Sequence, residues 1–333
     1  MRGVRIAATA QRVWGPPVST RAVVTAAMPG RDPAEMATRI GIENRHFAPP
    51  DLTVAEAGAA VLTQALAEAG WAPGDLQRLI LVNSHGGDHP IPATANAVLE
   101  RLGLRDTVGA FDLNNACTGF LSALDVAARL VQTGVDRVAV VTVELLSRWI
   151  APEVPRAYVV LADAAAACLL EAAPAGYGLL AADFGNDGSR LHAVTLAHGR
   201  PAGPERSGAA DAQGVERIQF GAPGPDFARF ALEGMLRSAE AVMAQAGRDL
   251  AAVDRFVLHQ PNGALFDAFL QALGIDEART VRVVDQLGSV GAASAAVGLD
   301  ALRRAQPLQT DDLVLLVAVG AGASRGAVLW RWH

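Results

Sequence analysis

Phe111-Asp112-Leu113-Asn114-Asn115-Ala116-Cys117-Thr118-Gly119-Phe120, continuing into Leu121-Ser122-Ala123-Leu124, decides how the rest of the chain is read. A short extended run ends at the cysteine. An amphipathic pattern starts there, with Leu121, Leu124, Ala128 and Leu130-Val131 at roughly helical spacing until Gly134. Cys117 therefore stands where a strand hands over to a helix. The unpaired amides and positive dipole end of a helix N-terminus favour a thiolate, and a thiol of lowered pKa is the nucleophile that covalent acyl transfer needs. Free cysteine is also among the most buried residue types, so this stretch alone leaves nucleophile and core filler both open.

On either side the pattern is that of an α/β chain. Val4 to Ala8 reads as a first strand, followed by a loop and helix carrying Arg21, Arg31, Arg39 and Arg45. Thr53 to Ala69 and Pro92 to Leu102 read as helices, with Gly58 a mild cost inside the first. Leu79-Ile80-Leu81-Val82, Arg137 to Val143, Val159-Val160-Leu161 and Ala165 to Leu170 are apolar runs of the kind that form strands buried on both faces. The second half echoes the first. Ala69-Gly70 and the run to Leu81 resemble Ala246-Gly247 and the run to Leu258; Arg101-Leu102-Gly103-Leu104 matches Ala272-Leu273-Gly274-Ile275. Beyond these come Cys117 in one half and Gly288-Ser289 in the other, each before an apolar helix and a buried strand. The repeat predicts an internal duplication, with halves at 1–173 and 174–333. His198 to Phe227, rich in Gly and Pro, reads as a long surface loop and a candidate cover over a substrate channel.

The totals narrow the class. A chain of 333 residues, 51% hydrophobic and 19% charged, has ample core for one two-lobed enzyme. A net charge of −6 argues against nucleic-acid binding, and no apolar run has the length to span a bilayer. The start of the chain lacks a signal-peptide core, and Cys117 and Cys168 do not make a disulfide framework, so a reducing cytoplasm is expected. Every basic charge is arginine. The absence of lysine excludes Schiff-base chemistry and the P-loop lysine.

Two further places bear on Cys117. His259, in Phe256-Val257-Leu258-His259-Gln260-Pro261-Asn262, ends an apolar strand, the end at which open α/β sheets build sites. Gly320-Ala321-Gly322-Ala323 follows the last long strand; its small residues let the backbone approach a ligand and offer amides to an oxyanion, or simply make a tight turn.

Asn115-Ala116-Cys117-Thr118-Gly119-Phe120, His259-Gln260-Pro261-Asn262, Gly288-Ser289-Val290-Gly291-Ala292-Ala293-Ser294 and Gly320-Ala321-Gly322 come in the order and spacing of β-ketoacyl-acyl-carrier-protein synthase III, of the thiolase superfamily. Arg39-Ile40-Gly41-Ile42-Glu43-Asn44-Arg45-His46 and Asp163 in Leu161-Ala162-Asp163-Ala164 extend the resemblance over nearly the whole chain. It implies a duplicated, five-layered αβαβα thiolase-like fold and a homodimer, without a permanently bound cofactor. It also implies an acyl thioester of coenzyme A or of an acyl carrier protein as donor to Cys117. By position, the amides of Cys117 and Ala321 would form the oxyanion hole and His259 would be the catalytic histidine. Ile91 falls where the family places a dimer-contributed residue against the acyl pocket. Arg39, Arg148, Arg156 and Asn262 are candidates for holding the thioester or its phosphopantetheine arm, although arginines are also common as solvated surface residues.

One departure is chemically pointed. Decarboxylating members of the family carry an asparagine where this chain has Ser289. Histidine and asparagine there supply two donors to the enolate of a malonyl thioester, and losing one such donor typically costs about 10²–10³ in rate. Acyl loading, or transfer to a hydroxyl, amine or carrier thiol with His259 as general base, needs no asparagine. The departure favours a small-molecule or carrier acceptor over malonyl. Decarboxylating condensation is the alternative, and an inactive partner subunit a third reading. A family tryptophan is replaced near Met36, which favours a carrier-protein donor over coenzyme A. Cys168, in an apolar strand, reads as inert core.

Overall fold

The computed structural model describes residues 2–196, 217–221 and 223–333. From the N-terminus come β1 (Gly3–Arg12), β2 (Pro17–Ser19), α1 (Thr20–Ala27), α2 (Pro33–Ile40), β3 (Asn44–His46), α3 (Val54–Ala69), β4 (Arg78–Val82), α4 (Thr94–Arg101), β5 (Gly109–Leu113), α5 (Gly119–Gln132), β6 (Arg137–Leu145), α6 (Pro155–Tyr158) and β7 (Asp163–Ala173). There follow β8 (Gly178–Asn186), β9 (Val194–Thr195), β10 (Gln219–Phe220), α7 (Gly224–Gln245), β11 (Arg255–Leu258), α8 (Gly263–Leu273), α9 (Val284–Leu287), α10 (Ala293–Ala305), β12 (Leu313–Gly320) and β13 (Ser324–Arg331).

The two halves build the same sheet. The first has strand order β1-β7-β6-β4-β5 and the second β8-β13-β12-β11. β4 pairs in parallel with both β5 and β6, β11 in parallel with β12, and the outer pairs run antiparallel. Leu79 to Val82 and Val138 to Val143 are fully buried, as continuous apolar strands covered on both faces must be. Among the described residues the second sheet has no counterpart of β5. Val281 and its neighbours run as irregular chain there, held by the buried Gln260 side chain, which donates to Val281 O (2.7 Å) and accepts from Val283 N–H (2.9 Å).

Helices α5 and α10 lie between the sheets. Phe120 and Leu124 of α5 and Ala293 and Val297 of α10 share one core with Val140 of the first sheet and Leu316 of the second. Residues of α3 and α4 cover the outer face of the first sheet, and those of α7 and α8 cover that of the second. The result is a five-layered αβαβα fold. Helix α3 is started by a capping box: Thr53 Oγ1 accepts from Glu56 N–H (3.1 Å) while Glu56 accepts from Thr53 N–H (2.8 Å). Gly58 has a packing reason, since a Cβ there would lie 3.2 Å from Val98 Cγ2 on α4.

Two sequence expectations, for Val159 to Leu161 and for Arg45, are corrected. Val159-Val160-Leu161 is not a strand. Pro155, favoured in a first helical turn, starts α6 instead, and Leu161 keeps a single bridge to Ser289. Arg45 is not on a helix but on β3, fully buried, donating to Thr20 Oγ1 (2.6 Å), and burial pulls its pKa down to about 10. The expected loop from 198 to 227 lies largely outside the described residues; within it, β10 pairs with β9 and Gly224 opens α7.

Candidate active site

Cys117 sits in one turn of 3-10 helix (Ala116–Thr118) between β5 and α5. Asn114 Oδ1 accepts from Ala116 N–H (3.0 Å), and Asn115 O accepts from Thr118 Oγ1 (2.7 Å). These bonds hold Ala116 in the left-handed region, at φ 44°, a conformation that non-glycine residues adopt mainly where surroundings force it. The β12–β13 turn comes up against this turn from the second half. A Cβ on Gly320 would lie 2.8 Å from Cys117 N, and the Ala321 N–H reaches the Cys117 sulfur.

His259 follows β11 directly, its N–H donating to Val317 O (2.9 Å), and is 2% exposed. Gln260, pinned as described and bonded through its N–H to Ser294 Oγ (3.0 Å), fixes the backbone next to it. The Nδ1 atom of His259 has no hydrogen-bond partner among the described residues. Ser289 is tied to the first half by its N–H to Val160 O (2.8 Å) and its carbonyl from Ala162 N–H (2.9 Å).

Cys117, His259, Ser289 and Ala321 line one cavity of about 880 Å³, as do Arg39, Arg156 and Asn262. Its wall is largely apolar, including Met36, Leu146, Val160, Leu196, Ile218 and Phe227. Asn262 is held at the N-cap of α8, its Oδ1 accepting from Leu265 N–H (2.8 Å). The Arg156 guanidinium stacks over Phe220 at 4.7 Å. Arg148 does not line the cavity; its guanidinium donates to Leu52 O, because the turn after β6 carries it outward. Nor does Ile91, which is 86% exposed at the surface of this chain.

The expected lowered thiol pKa is also corrected. Burial, with the nearby carboxyl of Glu144, pushes Cys117 up to about 12, outweighing the amide donors at its sulfur. Helix α5 begins only at Gly119, two residues beyond the cysteine. Burial lowers His259 to about 4, so the resting pair is a neutral thiol and a neutral imidazole. Cys168 is buried, and burial holds its thiol at about 12, in keeping with core.

Sequence reasoning missed three neighbours. Ser84 and His85 line the cavity, and Glu144, fully buried on β6, accepts from Ser84 Oγ (2.7 Å), Ser84 N–H (3.1 Å) and Ala292 N–H (3.3 Å). His85 Nε2 accepts from Leu145 N–H (3.4 Å) and faces the Asn83 side-chain amide (3.0 Å). The signal was present: Asn83-Ser84-His85 follows β4 just as His259 follows β11.

Duplicated αβαβα layers with a cysteine and a histidine facing one cavity define a thiolase-superfamily enzyme. The family descriptions for 3-oxoacyl-[acyl-carrier-protein] synthase III match residues 111–188, and for its C-terminal part residues 243–332. β-Ketoacyl-[acyl-carrier-protein] synthase III of Desulfitobacterium hafniense (strain Y51) is 34% identical over 296 residues, covering 89% of this chain and 88% of its own. The 3-oxopimeloyl-[acyl-carrier-protein] synthase of Rhodothermus marinus is 37% identical, over 91% and 87% of the two chains. Among solved structures, the synthase III of Aquifex aeolicus superposes with a TM-score of 0.88 at 24% identity, covering 99% and 100%. The priming β-ketosynthase of the R1128 polyketide pathway gives 0.89 at 25%, covering 99% and 96%. The chain belongs to the β-ketoacyl-[acyl-carrier-protein] synthase III family. Among its described residues no helix is long and apolar enough to cross a membrane.

Proposed function

We propose that this enzyme condenses an acyl group with a malonyl thioester, a reading supported by its 34%-identical relatives, which are named β-ketoacyl-[acyl-carrier-protein] synthase III. That reverses the preference drawn from Ser289 alone. The observation that carries the site is the meeting of Cys117, from one repeat, with His259 and the Ala321 amide, from the other, at one cavity. In the loading step Cys117 attacks the thioester carbonyl of coenzyme A or a carrier protein. The thiol proton passes to His259 and on to the departing thiol, while the Cys117 and Ala321 amides hold the oxyanion. In the second step the malonyl thioester loses CO₂, and its enolate carbon attacks the acyl-Cys117 carbonyl, releasing the thiolate, which regains a proton. Neutral His259 has an N–H for the enolate oxygen, and Ser289 takes the place of the second donor. Arg39, Arg156 and Asn262 are the proposed contacts of the phosphopantetheine arm, in a homodimer of chains whose two repeats are proposed to divide near residue 173.

Ser289 supports a second reading, transfer to a hydroxyl, amine or carrier thiol. Release of CO₂ from malonyl thioester by the acyl-loaded enzyme separates the two. Condensation predicts stoichiometric CO₂ and 3-oxoacyl product, increased about 10²-fold or less by Ser289→Asn. Acylated enzyme that releases no CO₂ contradicts it.

A further inference from the structure

Glu144 is a buried carboxyl that the reaction as written does not use. It leaves β6 beneath the cavity and joins both repeats. From the first half it takes both hydrogen bonds of Ser84, and from the second the Ala292 N–H at the start of α10. The turn that carries Ser289 closes over it, since a Cβ on Gly291 would lie 3.2 Å from the Glu144 carboxyl carbon. The same turn abuts the Cys117 segment, where a Cβ on Gly119 would lie 3.6 Å from Ala292 Cβ. Charge on the carboxyl therefore acts on the sulfur through low-dielectric protein.

We propose that Glu144 is a positioning residue for Cys117 and Ser289, and that its ionisation opposes release of the Cys117 proton, so that Cys117 gives up its proton more readily while this carboxyl is neutral. The inference rests on Cys117 being the nucleophile, as proposed above.

The groups around the carboxyl agree. Ser84 faces it from the end of β4, and Cys117, from the turn before α5, and Asp163, from β7, act on it by charge; none of these brings a permanent cation. The Arg148 charge lies beside Asp163. Burial, with Asp163, raises Glu144 to about 8 against the lowering effect of its three hydrogen bonds. The carboxyl is accordingly neutral below that pH and charged above it.

The test is the pH profile of Cys117 alkylation by iodoacetamide, read by peptide mass in a Cys168→Ala background. Alkylation needs neither acyl donor nor acceptor, so its failure is distinguishable from failure of the condensation. The unaltered site should gain reactivity with pH up to the Glu144 transition and flatten through it. Glu144→Gln keeps the shape without the charge and should rise without a bend. The two should match near pH 6.5 and differ about tenfold near pH 9.5, since one unit of thiol pKa is tenfold in thiolate. Ser84→Ala removes a bond that favours the charged carboxyl, so its bend should move to higher pH. That result stands independently should Glu144→Gln fail to fold. Parallel profiles for Glu144→Gln and the parent, or an unmoved bend in Ser84→Ala, would overturn the proposal.

Discussion

At rest Cys117 and His259, the proposed reacting pair, carry no charge. His259 shows what that costs the protein in acid. Its folded pKa near 4 lies below the ordinary 6.5, so the neutral form is the one the fold accommodates. Its contribution is complete above pH 6.5 and is lost as pH falls through 4, about 3 kcal/mol in all. Urea unfolding at pH 7 and near pH 4 should show a smaller drop for His259→Gln than for the parent, and equal drops would contradict a buried neutral imidazole. Cys117 and His259 were legible in the sequence because each ends a strand and neighbours small or amide-rich turns. Glu144 was not. In Val143-Glu144-Leu145 it reads as one polar letter in a strand, and only the fold brings Ser84 and Ala292 to it. The thiol pKa was misjudged for a related reason: sequence shows a helix start but not the desolvation that overrides it.

Among the elements, the β12–β13 turn approaches the Cys117 turn closely. Gly320→Ala would place a Cβ 2.8 Å from Cys117 N and 2.9 Å from Ser324 Oγ, and one of the two turns must move. Displacing the Ala321 amide would remove a proposed oxyanion donor, so acyl loading should fall about 10²-fold while circular dichroism remains that of the parent. A loading rate within twofold of the parent would show that the turn does not set the reaction. Strands and long helices were readable from their periods. Val159 to Leu161 was misread because an apolar run of three fits a strand or a helical turn equally, and Pro155 decides it from outside the run.

For the whole molecule, the repeat seen in the Ala-Gly and Leu-Gly signals corresponds to two sheets that share the order of four strands and pack on a shared helical layer. How two chains meet was not legible from hydrophobic pattern, because edge strands and exposed apolar residues carry no address. β5 is an edge of its sheet with Phe111 39% exposed, and Ile91, 86% exposed, is the residue expected to face a partner's acyl pocket. Sedimentation should give twice the 34.5 kDa chain mass, and Phe111→Asp should shift it toward the single chain; a parent that sediments as one chain contradicts the homodimer. The proposed reaction centre draws on both repeats, and mixing the enzyme with an acyl thioester followed by intact and peptide mass analysis tests this most directly. One acyl group should appear on Cys117, vanish in Cys117→Ala, and form much more slowly in His259→Ala. An acyl group on another residue, or loading unaffected by His259, would contradict it.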